Sequence, residues 1–487
     1  MKTAELIKSC PDQIISRSTL PEDMEISGMH YDSRKIAKGN LFFAISGYQS
    51  DGNQFVGQAL ANGAGLVVSE NNKIADDIPW IKVANCRRAM ALMSAAYLGR
   101  PADRLDMIAV TGTAGKTTTT YLLRSIMKEA GRKIGLLGTI NYWILDQKFS
   151  APNTTPESLD LQDLLSRMVS AGADTAIMEA SSHGIELDRV AGINFSTAVF
   201  TNFSQDHLDF HRDMESYLRS KLKLFQNLWE GATAVINRDD PAAGRVREAV
   251  RTKTLTFGID SQSDVMADKI TSTPQGSKFR LKVGDRSVEV NLAIAGRHNI
   301  YNALAASAAA LSRGLALGDI QAGLEKVDSV AGRFEPVNLG QDFSVIVDYA
   351  HTPQELEHLL NAARELNPRR IITVFGCGGD RDRSKRLLMG RAVARNSDIV
   401  VLTSDNPRTE DPGQIINDIL PGLSGREYIL FPDRKEAICK SIELARKGDM
   451  VIIAGKGHED YQILGTAKIH FDDREIAGEA LKQRLGV

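Results

Sequence analysis

The sequence predicts an α/β protein of three domains built on parallel sheets. Three observations carry this expectation. The chain has 487 residues, too many for one hydrophobic core at ~150 residues per domain. Short aliphatic runs alternate with amphipathic stretches of helical period, the pattern of a parallel sheet covered by helices. Polar clusters rich in Gly and Asp follow the ends of those runs, where open parallel sheets place their ligands. Composition is that of a globular chain, 43% hydrophobic and 25% charged. The 59 Lys and Arg nearly balance the 61 Asp and Glu, for a net charge of -2. That balance argues against binding nucleic acid or an anionic membrane through bulk charge. Cys10, Cys86, Cys377 and Cys439 are scattered without CxxC spacing, so no disulfide framework is expected and a reducing cytoplasm fits. No long apolar run opens the chain and none of about 20 residues occurs within it, so neither a signal peptide nor a membrane span is expected.

The elements follow in order. The first domain, residues 1–102, holds the strand-like runs LFFAI and GLVVSE, then the helical stretch ALMSAAYLG before Arg100-Pro101. The second, 103–332, opens on MIAVTGTAGKTTTT and continues through IGLLGTI, TAIMEA, TAVFT and ATAVIN. Between them YLLRSIMKEAG has helical period, with Leu122, Leu123, Ile126, Met127 and Ala130 on one face and Gly131 placed to stop it. Residues 264–292 read as a β-hairpin around a Gly-Asp turn, and the Ala-rich segment from Asn302 to Leu311 as a buried helix. The third domain, 333–487, carries SVIVDYAHTP, IITVFGCGGDRD, DIVVLTSDNPR and DMVIIAGKGHED. Any one of these endings could be an ordinary turn, since Gly and Asp favour turns. Four aliphatic runs ending in DYAHTP, GGDRD, DNPR and GKGHED predict one ligand-binding edge.

Thr111-Gly112-Thr113-Ala114-Gly115-Lys116-Thr117-Thr118 follows a strand and opens a helix. Glycines let backbone N–H groups form an anion nest, and the helix N-terminus adds partial positive charge. Lys116 reaches β- and γ-phosphates and Thr117 holds Mg²⁺ in such loops. The plainer alternative is a strand-to-helix turn with a surface lysine. Only two residues separate Gly112 from Gly115, fewer than in the usual phosphate loop. Glu179 ends the run TAIMEA, where a carboxylate can take Mg²⁺ or pair with a surface base. His207 is as open to being a loop histidine as a ligand, since Mg²⁺ is not a typical imidazole metal; Asp206 and Asp209 are equally open. Lys221, in YLRSKLKLF, reads on spacing alone as a solvated lysine.

At its spacing the loop resembles that of the Mur ligases and folylpolyglutamate synthases, ATP-dependent amide-forming enzymes. Those loops usually have Asn or Lys where Ala114 stands, a change that removes a side-chain contact and leaves the backbone nest. Tyr217 and Lys221 match a Tyr-x-x-x-Lys segment that, in Mur ligases adding the third peptide residue, carries a carbamylated lysine. The resemblance thus implies a metal set of Thr117, Glu179, His207 and Lys221, with Lys116 beside it. GRHNIYNALAA matches a family segment that brings Asn299 and Asn302 to the nucleotide; without the resemblance they read as an N-cap and a packed Asn. Arg333 in AGRFE and Asp348 and His351 in DYAHTP are implied for phosphate, ribose and base.

YDSRKIAKGNLFFAISGYQSDGNQF resembles the family's uridine-diphosphate-binding domain and implies Ser33, Tyr48, Gln49 and Ser50 as its contacts. Thr154 and Thr155 of NTTP, with Ser181 and Arg189, are implied for the peptidyl end of the substrate; by itself NTTP reads as a helix start with Thr155 as N-cap. Asp405-Asn406-Pro407-Arg408 is the most specific motif. Pro407 stiffens the loop and Arg408 offers a planar fork for a carboxylate. The tetrapeptide resembles that of the diaminopimelate-adding members, whose substrate bears one carboxylate more than lysine. Asp405, Asn406 and Glu459 are candidate acceptors for its distal ammonium, with Gly455 alongside. Arg381 is the candidate for its other carboxylate, with Arg383 a second choice.

The resemblance spans Asp32 to the FDDRE segment at Phe471. It implies a uridine-nucleotide-binding first domain, a central ATPase domain and a Rossmann-like C-terminal domain. It further implies ATP and Mg²⁺ as cofactors, and a cytoplasmic monomer joining meso-diaminopimelate to UDP-N-acetylmuramoyl-L-alanyl-D-glutamate. Two rivals stand beside it. A lysine-adding or polyglutamate-adding ligase is opposed by DNPR and the uridine-type first domain. A nucleotide-binding switch would have no use for the third-domain carboxylate cluster.

Overall fold

The aliphatic runs become strands because their β-branched residues pack well on a pleated surface that helices cover on both faces. The computed structural model describes residues 1–21, 23–47, 50–71 and 79–486. The backbone divides into two compact units, one of Met1–Thr120, Met127–Phe257 and Ala308–Leu315, the other of Tyr121–Ile126, Gly258–Ser307 and Ala316–Val487.

The first unit holds two sheets. The N-terminal sheet has the order Ile14–Arg17, Trp80–Val83, Leu66–Ser69, Asn40–Ala44, Gly28–His30, parallel throughout except for its first pair. The runs LFFAI and GLVVSE supply two fully buried strands of it. The second sheet aligns six parallel strands, Lys253–Gly258, Thr233–Asn237, Thr197–Phe200, Asp106–Thr111, Thr175–Glu179 and Ile134–Leu137. Asn141–Ile144 and Gln147–Ser150 extend it antiparallel. The strand Asp106–Thr111 lies between Thr175–Glu179 and Thr197–Phe200. Val110 pairs with Glu179 and Thr111 with Phe200, so three strands end level. The chain leaves the middle strand toward one edge and returns on its other side, the kind of reversal where open α/β sheets bind ligands.

The helix Lys116–Glu129 buries Leu122, Leu123, Ile126 and Met127 completely. Gly131 then takes φ +77°. Its N–H donates to the Lys128 carbonyl and that of Arg132 to the Met127 carbonyl, the paired bonds of a Schellman stop. One expected helix start is corrected. The helix after NTTP runs Ser158–Ser170 with Glu157 at its N-cap and no side-chain cap. The Thr155 hydroxyl is not available as the cap, because it donates to the Glu179 carbonyl at 2.8 Å and meets Ser181 Oγ at 3.0 Å.

In the second unit the expected hairpin exists but is one strand longer. Val265–Thr273, Gly276–Val283 and Arg286–Leu292 form an antiparallel meander. The helix Arg297–Ser312 buries Ala303 through Ala306 and Ala308 through Ala310. It starts before Asn299, which is therefore not an N-cap; the Asn299 side chain donates to the Ala295 carbonyl instead. The C-terminal sheet has the order Glu335–Pro336, Ser344–Asp348, Met450–Ala454, Ile371–Phe375, Ile399–Leu402, Tyr428–Leu430. All its neighbours run parallel after the first pair. The four polar endings named from the sequence therefore leave from one edge. Behind that edge Arg434 and Asp473, both fully buried, form a bidentate pair at 2.8 and 2.6 Å. Arg434 also donates to the carbonyls of Ser404 and Ala454, tying two strand ends together. Among the described residues no helix is long and apolar enough to cross a membrane.

Removing one member of a buried, bonded ion pair strands the other charge. Asp473→Ala is expected to destabilise the C-terminal sheet by about 3–5 kcal/mol. Amide exchange in the strand Met450–Ala454 checks this, and protection unchanged from wild type would contradict it.

Candidate active site

The phosphate loop leaves the sheet at Thr111, itself fully buried. Gly112 has φ +150° and Gly115 φ +83°. A Cβ on Gly112 would stand 1.9 Å from Thr201 Oγ1, so only glycine permits this approach to the neighbouring strand end. The Ala114 N–H donates to Asn202 Oδ1 at 2.8 Å, and the Ala114 carbonyl accepts from Thr201 Oγ1 at 2.7 Å. Asn202 and Thr201 thus hold the loop backbone on both sides of Ala114. Lys116 Nζ donates to the carbonyls of Gly112 at 2.9 Å and Thr113 at 2.7 Å. Thr113 Oγ1 meets the Tyr217 hydroxyl at 3.1 Å, and Thr118 is buried.

Glu179 is fully buried at the end of its strand. Its Oε2 accepts from the hydroxyls of Thr117 and Thr139, each at 3.0 Å, and its Oε1 from the Thr139 N–H at 2.8 Å. Thr139 Oγ1 also meets Thr154 Oγ1 at 3.0 Å. A carboxylate and two hydroxyls are a hard-oxygen set that fits Mg²⁺, a cation that takes one or two carboxylates and keeps several waters. Among the described residues no group of three or more His, Cys, Asp or Glu is arranged to hold a metal ion by itself.

Lys221 is not the solvated lysine its spacing suggests. It is 1% exposed on the helix Met214–Gln226. Its Nζ donates to the Gly112 carbonyl at 2.9 Å and lies 4.3 Å from the Tyr217 ring centre. Burial, then the charge of Lys116, holds its amine well below the ordinary lysine range. His207 has φ +52° and sits edge-on to His183 at 4.8 Å. Its backbone N–H donates to Asp206 Oδ1 at 2.8 Å. Burial, opposed by Asp206 and helped by the charges of His183, Lys116 and Lys221, pushes His207 down to about 4, so its imidazole is neutral near pH 7. Lys116, Thr117, Glu179 and Lys221 share one edge, and His207 lies within electrostatic reach of the two lysines.

Of the residues implied for the uridine substrate, Ser33 is buried with its hydroxyl donating to Gln58 Oε1 at 2.7 Å. The Ser50 carbonyl accepts from Gly47 N–H; Tyr48, Gln49 and the Asp209 side chain lie outside the described residues. Ser181 caps the helix Ser182–Glu186. Arg189 donates to the Thr155 carbonyl at 2.8 Å and pairs with Glu157 at 2.6 Å.

In the other unit Asn302 Nδ2 donates to Asn299 Oδ1 at 3.0 Å, so the two amides do meet. The Arg333 guanidinium lies over the Tyr349 ring at 5.1 Å, and its Nε has no partner among the described residues. Asp348 accepts from the N–H groups of Phe334 and Ala350. His351 Nδ1 lies 2.8 Å from the Tyr349 carbonyl.

The DNPR loop is locked against its neighbours. Asn406 Nδ2 donates to Glu459 Oε2 at 2.9 Å, and Gln462 to the Asp405 carbonyl. The Gly455 N–H donates to the Asp348 carbonyl. A Cβ on Gly379 would come within 1.9 Å of the Pro407 carbonyl oxygen. Arg408, at φ +53°, donates Nη1 to the Gly379 carbonyl at 2.7 Å. A Cβ on Gly378 would stand 2.9 Å from Arg408 Nη1 and 4.0 Å from Arg381 Cγ, so these two arginines flank one glycine. Arg381 is exposed, and Arg383 is turned to Glu410 at 2.8 Å.

Sequence reasoning missed Thr139, Asn202 and Lys456. Thr139 and Asn202 each follow a strand end by two residues, a signal that could have found them. Lys456 is fully buried and pairs with Glu459 at 3.0 Å, which no spacing reveals.

Family models match in chain order: "Mur ligase family, catalytic domain" over residues 25–104, "Mur ligase middle domain" over 110–310 and "Mur ligase, glutamate ligase domain" over 332–457. The chain is 47% identical over 491 residues to the UDP-N-acetylmuramoyl-L-alanyl-D-glutamate–2,6-diaminopimelate ligase of Syntrophomonas wolfei subsp. wolfei, covering 100% of both. It is 44% identical to the like-named protein of Clostridium tetani, covering 99% of this chain and 100% of that one. A solved structure titled with the same enzyme name superposes at TM-score 0.72 with 34% identity and 100% coverage of both chains. MurF ligase from Thermotoga maritima, solved with ADP, shares the fold at TM-score 0.64 and 20% identity, over 96% of this chain and 99% of that one.

His458 offers a pH test of the C-terminal edge. Burial, then the charges of Arg333 and Arg474, pushes it from 6.5 down to about 4. The unfolded chain therefore takes up this proton first as pH falls. The stability it contributes is complete above 6.5 and is lost on going down toward 4. His458→Gln is expected to make the loss of stability over that window shallower, measured as denaturant midpoints against pH; an unchanged slope would contradict it.

Proposed function

The chain belongs to the Mur ligase family, and from that premise we propose that it is the peptidoglycan ligase that adds meso-diaminopimelate to UDP-N-acetylmuramoyl-L-alanyl-D-glutamate at the expense of ATP. The observation that carries the choice of amino acid is the pair of arginines, Arg408 and Arg381, flanking Gly378. Two guanidinium groups suit a substrate with a carboxylate at each end, whereas lysine has one.

The reaction is a double displacement. The free γ-carboxylate of the dipeptide attacks the γ-phosphorus of ATP, giving an acyl phosphate and ADP. The amine of diaminopimelate then attacks the acyl carbon and expels phosphate. The residues 111–118 cradle the phosphates through backbone N–H groups, and Lys116 is drawn from the carbonyls of Gly112 and Thr113 onto phosphate oxygens. Bound Mg²⁺ would neutralise charge developing on the transferred group, held by Thr117 and Glu179 with His207 and a carbamylated Lys221 nearby. The low-lying amine of Lys221 suits that modification, because only a neutral amine adds carbon dioxide. Thr154, Thr155, Ser181 and Arg189 orient the peptidyl end, and Ser33, Tyr48, Gln49 and Ser50 the uridine nucleotide. Asn299, Asn302, Arg333, Asp348 and His351 serve the nucleotide. Asp405, Asn406 and Glu459 receive the distal ammonium, with Pro407 and Gly455 shaping the loop. Lys456 already pairs with Glu459, so that carboxylate is shared rather than free. We assign these tasks to domains 1–102, 103–332 and 333–487, in a cytoplasmic monomer.

The test is phosphate release by the purified protein given ATP and the UDP-linked dipeptide, with meso-diaminopimelate, L-lysine and L-glutamate offered separately. Release that needs both the dipeptide and diaminopimelate is expected; preference for lysine, or release independent of any amino acid, would contradict the reading. Arg408→Lys loses the planar fork and is expected to raise KM for diaminopimelate roughly tenfold or more while leaving that for ATP in place. Equal rises in both would count against it. Lys221→Arg cannot be carbamylated and is expected to lower kcat by about 100-fold or more without abolishing ATP binding. Near-normal turnover would remove Lys221 from the machinery.

A further inference from the structure

Arg408 occupies a backbone conformation that a non-glycine residue rarely adopts, with φ +53°. Such an outlier persists only where its surroundings hold it. On one side its N–H donates to the Ile463 carbonyl at 3.1 Å and its carbonyl accepts from Gly465 N–H at 2.8 Å. On the other side stands Glu410, two residues along. Glu410 Oε1 accepts from the Asp380 N–H at 2.5 Å and from Arg386 Nη2 at 2.8 Å, and its Oε2 from Arg386 Nη1 at 3.1 Å. Arg386 is 1% exposed and also bonds Asp418 at 2.8 Å. The exposed Thr409 hydroxyl adds a bond to Asp380 Oδ1 at 2.8 Å.

We propose that Glu410 and Arg386 are positioning residues for the amino-acid substrate, bracing the loop that carries Arg381 against the loop that carries Arg408. This rests on the ligase reading above and adds a specificity device to it. Glu410 reaches the Arg381 loop directly through Asp380 N–H and is anchored from below by a two-pronged arginine. The arrangement is costly as pure scaffolding. Arg386 is taken out of water, and its buried Nε has no partner among the described residues. A hydrophobic residue of similar volume often stabilises a fold as well as a buried ion pair does. What the ionic brace supplies is direction: a planar fork fixes the carboxylate, and the carboxylate fixes two loops to within the fraction of an ångström that carboxylate recognition demands. Arg383, mostly exposed, touches the same carboxylate and adds little to it.

The test compares the full-length wild type with Glu410→Gln and Arg386→Lys. Wild type must first release phosphate in dependence on diaminopimelate; if it does not, the ligase reading itself fails. Given an active wild type, both variants are expected to raise KM for diaminopimelate at least about tenfold. They should leave KM for ATP and for the UDP-linked dipeptide within about twofold, and narrow the preference for diaminopimelate over lysine. A rise in all three KM values together, or in none, overturns the proposal. Thr409→Val carries the test if the buried variants do not fold, since it removes one exposed hydroxyl from the same tie. It is expected to raise KM for diaminopimelate by a smaller factor with melting temperature unchanged, and an unaltered KM overturns the proposal.

Discussion

Three parallel strands that end at one level set the terms for the edge that carries the phosphate loop. Because Val110 pairs with Glu179 and Thr111 with Phe200, the phosphate loop, the carboxylate and the Thr201-Asn202 pair emerge side by side. The loop can then approach its neighbour only through Gly112. The Gly112 carbonyl receives two lysines, Lys116 and Lys221, each at 2.9 Å. Two ammonium groups on one oxygen repel each other, and burial decides which yields: Lys221, out of water, is held well below its ordinary range. The two amines that share this oxygen therefore differ in environment, one of them wholly buried.

The C-terminal sheet solves a different problem with the same topology. Four parallel strand ends carry polar loops away from one edge, and such loops need anchoring to hold a fixed geometry. Buried charge stiffens them. Arg434 with Asp473 ties the carbonyls of Ser404 and Ala454, and Lys456 with Glu459 closes on Asn406. Each pair is costly to bury and gains little net stability; what each supplies is a fixed direction for the groups beside it. The DNPR loop is therefore set in an electrostatic framework that holds Arg408 against the Gly379 carbonyl.

Much of this was legible in the sequence. The strand-loop-helix around Lys116, the strand-terminal Glu179 and the four polar endings follow from short-range chemistry, and the chain realises them locally. What escaped depended on distant partners. Lys221 has a surface lysine's spacing and becomes buried because its helix packs beneath the phosphate loop. Thr155 has the sequence of a cap and spends its hydroxyl on Glu179, 24 residues away. Asn299 resembles a cap and is drawn inward to Ala295. The strand Val265–Thr273 was overlooked because its outer half alternates among Thr, Ser and Lys, with few apolar residues to mark a period. The grip on the loop at Ala114 was not visible, since it comes from Asn202, 88 residues on.

In the proposed reaction, phosphate passes through the substrate's own carboxylate. The most direct measurement labels the free γ-carboxylate of the UDP-linked dipeptide with oxygen-18 and analyses the phosphate released during turnover with diaminopimelate. Transfer of one labelled oxygen to each phosphate is predicted, because the attacking oxygen leaves with phosphorus when the amine displaces it. Unlabelled phosphate, with ligation proceeding at the normal rate, would contradict it.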